Sequence, residues 1–465
     1  MSRLSAIAYA EQYFDSGRLF QELSDRVAKR TESQGPVQHG TLHAYLRDDM
    51  QPVLEQLGFN VTLHPNPVED GGPFLIGERF EGAHLPTVLI YGHGDVVGGM
   101  DDFWHPGRSP WRLTVEGDRW YGRGSADNKG QHSINIAALE CILQARGGRL
   151  GFNAKILLEM GEERGSPGLE AFCTAQRTAL SADVLIASDG PRLAAERPTV
   201  FFGSRGVVSI KLSLNLRAGG HHSGNWGGLL RNPATTLAAA ISSLVDGQGK
   251  LLVDWLKPAA IPASVKAALA DIQVGGGAND PTVDVEWGEP GLTPAERVFA
   301  WNTFEVLAMR SGNADRPMGA IPPEAVAHCQ LRFVVGTKID EIAAALRQHL
   351  DDAGFAMIDA DVTVGGPATR LDPDTPWAVW SVASIAETTG KKVAILPNLG
   401  GTLPNHVFAD TLGLPTIWVP HSYPACSQHA PNEHMLGSVA REGLRMMAGL
   451  FWDLSTSPKS DQHGV

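Results

Sequence analysis

Five short clusters of acids and imidazoles punctuate the chain: Gly92-His93-Gly94-Asp95, Gly122-Arg123-Gly124-Ser125-Ala126-Asp127-Asn128-Lys129-Gly130, Gly161-Glu162-Glu163, Ser188-Asp189-Gly190 and His429-Ala430-Pro431-Asn432-Glu433. They sit where apolar runs end, and in open α/β sheets the carboxyl ends of strands form the ligand crevice. Two histidines and several carboxylates without a thiolate suit zinc, cobalt or manganese, and with them hydrolytic chemistry. Three ligating carboxylates and one hydroxide would offset two divalent cations, whereas a single cation would leave them overcharged. Two such ions need a shared carboxylate and a shared water.

Each cluster also has a plainer reading. Glu162-Glu163 could be a solvated acidic turn, and Asp189-Gly190 only a turn signal. Residues 122–130 look superficially like a phosphate loop but lack its Lys-Ser/Thr ending, which argues against a nucleotide site. Cys426, three residues before His429, is expected to be a small buried hydrophobe rather than a ligand. Taken together, the order and spacing of the clusters favour a shared site.

The elements that must hold these residues follow from the patterning. Helical spacing of apolar residues predicts helices over 18–30 and 42–57, the second after the Gly35-Pro36 break. Apolar runs at 86–91, 153–158, 183–187 and 416–419 predict strands buried on both faces of a mixed or parallel sheet. From about residue 203 the texture changes. Residues 207–216 alternate apolar and polar, as a strand with one wet face does. A helix over 232–244, a strand over 325–335, a helix over 339–350 and a strand over 357–364 then make a strand-helix-strand-strand-helix-strand unit. A helix over 377–388 and a strand over 392–396 return to the first style. The expected domains are 1–203 with 369–465, carrying the clusters, and an inserted α+β domain over 204–368.

Composition narrows the function classes. The chain has 465 residues, of which 43% are hydrophobic and 19% charged, so a soluble protein of at least two domains is expected. Its 38 Lys+Arg against 51 Asp+Glu give a formal charge of -13, which repels phosphate backbones and anionic lipid. Neither nucleic acid nor membrane is an expected partner. Four scattered cysteines without a C-x-x-C pair, and no basic-then-apolar leader, point to the cytoplasm.

In their order, G-H-G-D, G-R-G-S-A-D-N-K-G, G-E-E-R-G-S, A-S-D-G-P and H-A-P-N-E make a series similar to that of the dinuclear-zinc metallopeptidases, which include carnosinases, cytosolic dipeptidases, aminoacylases and carboxypeptidase G. The resemblance covers nearly the whole chain. It implies an α/β, phosphorylase/hydrolase-like catalytic domain with a central mixed sheet flanked by helices, plus an inserted α+β lid and dimerisation domain. It implies two divalent ions, zinc first, with cobalt or manganese as alternatives. His93 and Asp189 would bind one ion, Glu163 and His429 the other, and Asp127 would bridge both. Glu162 would be the general base, and Asp95 would hold the His93 imidazole. His429 is preferred to His434 because it begins the H-x-x-N-E pattern.

In the inserted domain, Gly219-Gly220-His221-His222-Ser223-Gly224-Asn225-Trp226-Gly227-Gly228 resembles the family's H-S-G-x-x-G-G loop. His222, which directly precedes Ser223-Gly224, is preferred to His221 as the residue that polarises the scissile carbonyl. In carnosinase-like members this histidine serves the other subunit, which implies a homodimer. Arg332, Gly401 and Thr402 resemble the elements that grip the substrate's carboxylate. One departure is Gly319, where relatives often carry Asn or Thr: either a substrate contact is missing or Asp315 and Arg316, just upstream, replace it. The resulting expectation is hydrolysis of a dipeptide-like amide next to a free carboxylate. The alternative is deacylation of an N-acyl amino acid or another small amide at the same centre.

Overall fold

The runs at 86–91, 153–158 and 183–187 are mostly apolar on both faces, which requires a sheet covered on both sides. The computed structural model describes residues 2–35, 39–276 and 280–458. It has that sheet in the first of two units, which comprises Met1–Gly203, Leu371–Leu396 and Pro404–Val465. Eight strands run in the order Asn60–His64, Phe74–Arg79, Asn153–Glu159, Thr87–His93, Val184–Ala187, Thr416–Trp418, Thr199–Phe201, Ala394–Leu396. Thr87–His93 is parallel to both Asn153–Glu159 and Val184–Ala187, and Thr416–Trp418 is parallel to Val184–Ala187. Asn60–His64 and Phe74–Arg79 add an antiparallel edge. The expected mixed α/β sheet is therefore present. Its parallel register places His93 opposite Glu159 and Tyr91 opposite Ala187, so the loops carrying the acids leave from one edge.

Helix Lys129–Ala145 is buried along nearly its whole length: Ile134, Ile136, Ala137, Ala138 and Leu139 fill the core, while the buried polar residues of its first turns are hydrogen-bonded, Lys129 Nζ to Arg26 O at 2.9 Å and Gln131 Nε2 to Ala126 O at 2.9 Å. Helix Gly437–Asp453 brings Ala440, Leu444, Met447, Leu450 and Phe451 into the same core. The helix expected over 42–57 is interrupted. His39–Ala44 and Gln51–Gln56 are α-helical, but Tyr45–Met50 is a wider π turn. Pro52, which has no N–H to give to the ladder, stands just after it. Pro36, part of the expected break before this segment, lies outside the described residues.

The second unit comprises Ser204–Arg370 and Pro397–Leu403. Strand Gly206–Asn215 alternates as its sequence requires, with Val208, Ile210, Leu212 and Leu214 buried. It lies inside an antiparallel sheet ordered Thr303–Arg310, Glu324–Phe333, Gly206–Asn215, Asp359–Gly366. Helices Pro233–Ser242 and Ile339–Asp352 add Leu237, Ala240, Ile342, Leu346 and Leu350 to this core. Asn232 caps the first of them, its Oδ1 accepting from the N–H of Ala234 at 2.9 Å. The edge strand Thr303–Arg310 has no signature in the sequence because only Phe304 along it is buried.

Thr369, Arg370 and Pro397–Leu403 were expected with the first domain but group with the second unit. Hydrogen bonds within that unit explain the difference. Arg205 Nε donates to Gly400 O at 3.0 Å, Thr402 Oγ1 donates to Arg205 O at 2.8 Å, and Asn398 Nδ2 donates to Thr369 O at 2.6 Å. No helix among the described residues is long and apolar enough to cross a membrane. The four cysteines are buried and unpaired.

Candidate metal centre

All five clusters lie in the first unit, at strand ends or in the loops that follow them. His93 ends strand Thr87–His93, and its Nδ1 meets Asp95 O at 3.1 Å. A carbonyl only accepts, so Nδ1 donates and Nε2 is the atom turned toward the carboxylates. Asp127 precedes helix Lys129–Ala145, Glu162 and Glu163 begin the turn Glu162–Arg164 after strand Asn153–Glu159, and Asp189 follows strand Val184–Ala187. His429 lies in the loop before strand His434–Leu436, with a left-handed backbone (φ 58°).

These side chains converge on Asp127. Its Oδ1 is 3.0 Å from His93 Nε2, and its Oδ2 is 3.0 Å from His429 Nε2. Asp189 Oδ2 lies 3.5 Å from His93 Nε2, and Glu163 Oε2 lies 3.0 Å from His429 Nε2. Two donor triads result, His93–Asp127–Asp189 and Asp127–Glu163–His429, each with its ligand atoms within 4.8 Å of one another. They share one carboxylate. Glu162 belongs to neither triad, and its Oε2 stands 3.9 Å from His93 Nε2. The pocket is nearly closed: the side chains of His93, Asp127, Glu163 and Asp189 are 0%, 5%, 3% and 3% exposed, against 52% for His429 at its mouth.

The electrostatics of so many acids in one dry pocket are unfavourable without a cation. Burial, reinforced by Asp189, Asp127 and Glu163, raises the Glu162 carboxyl well above the usual carboxylate range. Burial and Asp127 push Glu163 up to about 7, and burial also raises Asp189. Hydrogen bonds to Asp127 and Glu163 push His429 up to about 11. For His93, burial acts downward, but the carboxylates of Asp127, Asp189 and Asp95 outweigh it and raise the imidazole. Asp127 is the exception: its two imidazole partners overcome burial and hold it below its ordinary value. Glu163 Oε1 and Asp189 Oδ2 are buried without a hydrogen-bond partner, and buried polar atoms are ordinarily paired. The orphaned oxygens, the shared carboxylate and the surplus of negative charge fit two divalent ions.

Asp95 contacts more than the His93 imidazole. Its Oδ1 stands 3.4 Å from His93 Nδ1 and also accepts from Glu162 N at 3.2 Å, while Oδ2 accepts from Glu163 N at 3.1 Å and from Ser33 Oγ at 2.6 Å. Ser33 had no signal in the sequence. His434, the rival to His429, is engaged elsewhere, meeting Tyr423 Oη through Nε2 and Asn432 O through Nδ1. Another histidine, His421, is buried beside Ser188 with its pKa lowered by burial. Burial pushes the Cys426 thiol up to about 12, which keeps it protonated.

In the second unit, His222 is exposed and its Nδ1 accepts from Gly224 N at 3.2 Å, while the His221 ring stands 5.9 Å from Trp226. Arg332 Nη1 donates to Thr402 Oγ1 at 2.8 Å, next to the exposed Gly401. Arg205, buried beside them, was missed in the sequence, where a single Arg between Ser and Gly carries no pattern. Burial, together with Arg332, lowers its pKa to about 10.

Residues 89–453 match peptidase family M20/M25/M40. The chain is 26% identical over 401 residues to a cysteinylglycine-S-conjugate dipeptidase of Corynebacterium striatum, covering 83% of this chain and 84% of that protein. It is 23% identical over 479 residues to the beta-Ala-His dipeptidase of Homo sapiens, covering 96% and 92%. Among solved structures, an M20 family metallo-carboxypeptidase from Sulfolobus solfataricus superposes with a TM-score of 0.78 at 24% identity, covering 94% of this chain and 99% of that one. Human carnosine dipeptidase 1 superposes with a TM-score of 0.75 at 21% identity, covering 97% and 99%.

Proposed function

The chain belongs to peptidase family M20/M25/M40, and from that premise we propose that it is a dipeptidase using two zinc ions, with cobalt or manganese suited to the same donors. His93 and Asp189 would hold one ion and Glu163 and His429 the other, with Asp127 common to both sets. The observation that carries this reading is the Asp127 carboxylate, whose two oxygens each face a different imidazole at 3.0 Å. The relatives named above as dipeptidases support the substrate class.

When bound, such ions would supply Lewis acidity for the scissile carbonyl and for the attacking water. The remaining work belongs to the chain. Glu162, free of both triads and raised by burial, takes a proton from that water and passes it to the leaving amine nitrogen. Glu163 stays a ligand because its Oε2 is already turned to His429. Arg332, with Gly401 and Thr402, grips the substrate's free carboxylate, for which a guanidinium fork has matching geometry. His222 polarises the carbonyl in the site of a second copy, which makes the working form a homodimer. The unpaired cysteines accord with a cytoplasmic location.

The test is turnover of a mixed panel of dipeptides and N-acyl amino acids by metal-reconstituted protein, with chelated protein and Glu162→Gln alongside. Dipeptide cleavage that needs both metal and Glu162 is expected. Wild-type turnover by Glu162→Gln with metal bound would overturn the mechanism. Reaction of the N-acyl half alone would replace the dipeptidase reading with a deacylase.

A further inference from the structure

Glu433 closes the H-A-P-N-E cluster, yet it belongs to neither donor triad. It is 1% exposed, and its carboxylate accepts four hydrogen bonds. Oε2 receives Arg123 Nη1 at 2.7 Å and Gly124 N at 3.1 Å, and Oε1 receives Ala126 N at 2.9 Å and Asp127 N at 3.0 Å. The Glu433 carbonyl adds a fifth contact, accepting from Gly122 N at 3.0 Å. Every one of these donors lies in the loop 122–127, which ends at Asp127.

The chain path gives the clamp its meaning. Asp127 and His429 are 302 positions apart and meet at 3.0 Å. Glu433 follows His429 by four residues and grips the backbone of Asp127 itself. The loop 122–127 has no ladder of its own to satisfy its N–H groups, and the carboxylate supplies the missing acceptors. We infer that Glu433 is a positioning residue: by tying the loop of Asp127 to the loop of His429, it sets how tightly the two ions are held. The inference rests on the reading of Asp127 and His429 as metal ligands.

Glu433→Gln isolates the effect. An amide has one acceptor oxygen, so whichever way it turns, its NH2 faces either Arg123 and Gly124 or Ala126 and Asp127. One pair of donors loses its acceptor and the loop must shift. Removing a ligand's supporting partner typically costs roughly 10–100-fold in metal affinity, and a loss in that range is expected here. Arg123 would also be left uncompensated, since its Nε and Nη2 already lack partners. If that charge prevents folding, Arg123→Met/Glu433→Gln removes it while keeping the single-oxygen defect.

The experiment is competition for Co2+ between the full-length protein and a chromophoric chelator, read with the visible spectrum of bound cobalt. Glu442→Gln is the control, because the Glu442 carboxylate is likewise paired with a buried arginine, Arg192 at 2.5 Å, and with Lys391 at 2.6 Å. Two tight equivalents in wild type, weakened binding and a shifted spectrum in the Glu433 variant, and wild-type behaviour in the Glu442 variant are expected. Equal affinity and spectrum in the Glu433 variant and wild type, or equal weakening in both variants, would overturn the inference. Failure of wild type to bind two equivalents would overturn the metal-pair reading instead.

Discussion

The main-chain N–H of Glu162 donates to Asp95 Oδ1 at 3.2 Å, and the next N–H, that of Glu163, donates to the other oxygen at 3.1 Å. One buried carboxylate thus orients the proposed base and a proposed ligand through their backbones. Asp95→Asn puts an NH2 group against one of those donors. The expected result is a loss of roughly 10–100-fold in kcat/KM or metal affinity, the usual effect of removing a supporting partner, with the folded state retained. Steady-state kinetics beside cobalt titration checks it, and unchanged values for both would refute the role.

Metal loading should depend on pH in a stated direction. Glu163 is pushed up to about 7 by burial and Asp127, from an ordinary value of 4.5. The metal-free folded state therefore holds a proton through that window that the unfolded chain has released. This contribution to stability falls as pH rises from 4.5 to about 7. Metal binds the deprotonated form, so the rise in Tm on adding zinc should grow between about pH 5.5 and about pH 8. Thermal melts with and without zinc at both pH values measure it. A metal-induced shift that is the same at both would count against the assignment.

Arg332 and Thr402 give a prediction for the second unit. Arg332 Nη1 donates to Thr402 Oγ1 at 2.8 Å and its Nε donates to Gln330 Oε1 at 2.9 Å, which fixes the plane of the guanidinium. Lysine keeps the charge but not the fork. Arg332→Lys should lower kcat/KM for a dipeptide by roughly ten- to a hundredfold, the equivalent of about 1.5–3 kcal/mol for a charged hydrogen bond. Dipeptide amides, which lack the free carboxylate, should be affected far less. Equal losses on dipeptides and their amides would show that Arg332 does not read that group.

Much of this was legible in the sequence because the residues involved report on local order. Apolar runs at 86–91 and 183–187 announce strands enclosed by helices, and an acid just past the end of such a strand faces the crevice there, as Asp189 does after Val184–Ala187. What escaped is long-range. Ser33 reaches Asp95 across 62 positions and Glu433 reaches Asp127 across 306, and no spacing rule links them. The edge strand Thr303–Arg310 escaped for another reason, since without a buried face it has no alternation to read. The segment Pro397–Leu403 shows no periodicity, and its place in the second unit rests on contacts distant in the chain, to Arg205, Arg332 and Thr369.

Two glycines in helices separate crowding from propensity. Gly130, in the first turn of helix Lys129–Ala145, has room for no side chain: a Cβ there would stand 2.0 Å from Ser125 O and 2.6 Å from the Met435 methyl. Gly40, in helix His39–Ala44, has nothing within 4 Å. Gly40→Ala should therefore leave stability unchanged or raise it by about 0.4–1 kcal/mol, because alanine reduces the freedom of the unfolded chain. Gly130→Ala meets backbone, which cannot rotate away, so the loop of Asp127 must move. A cost of about 1–3 kcal/mol is expected for such overpacking, accompanied by weaker metal binding because Ser125 lies two residues before Asp127. Denaturant melts and cobalt titration of both variants test the pair. A Gly130→Ala protein that binds cobalt as wild type does would mean that the loop absorbs the shift without moving Asp127.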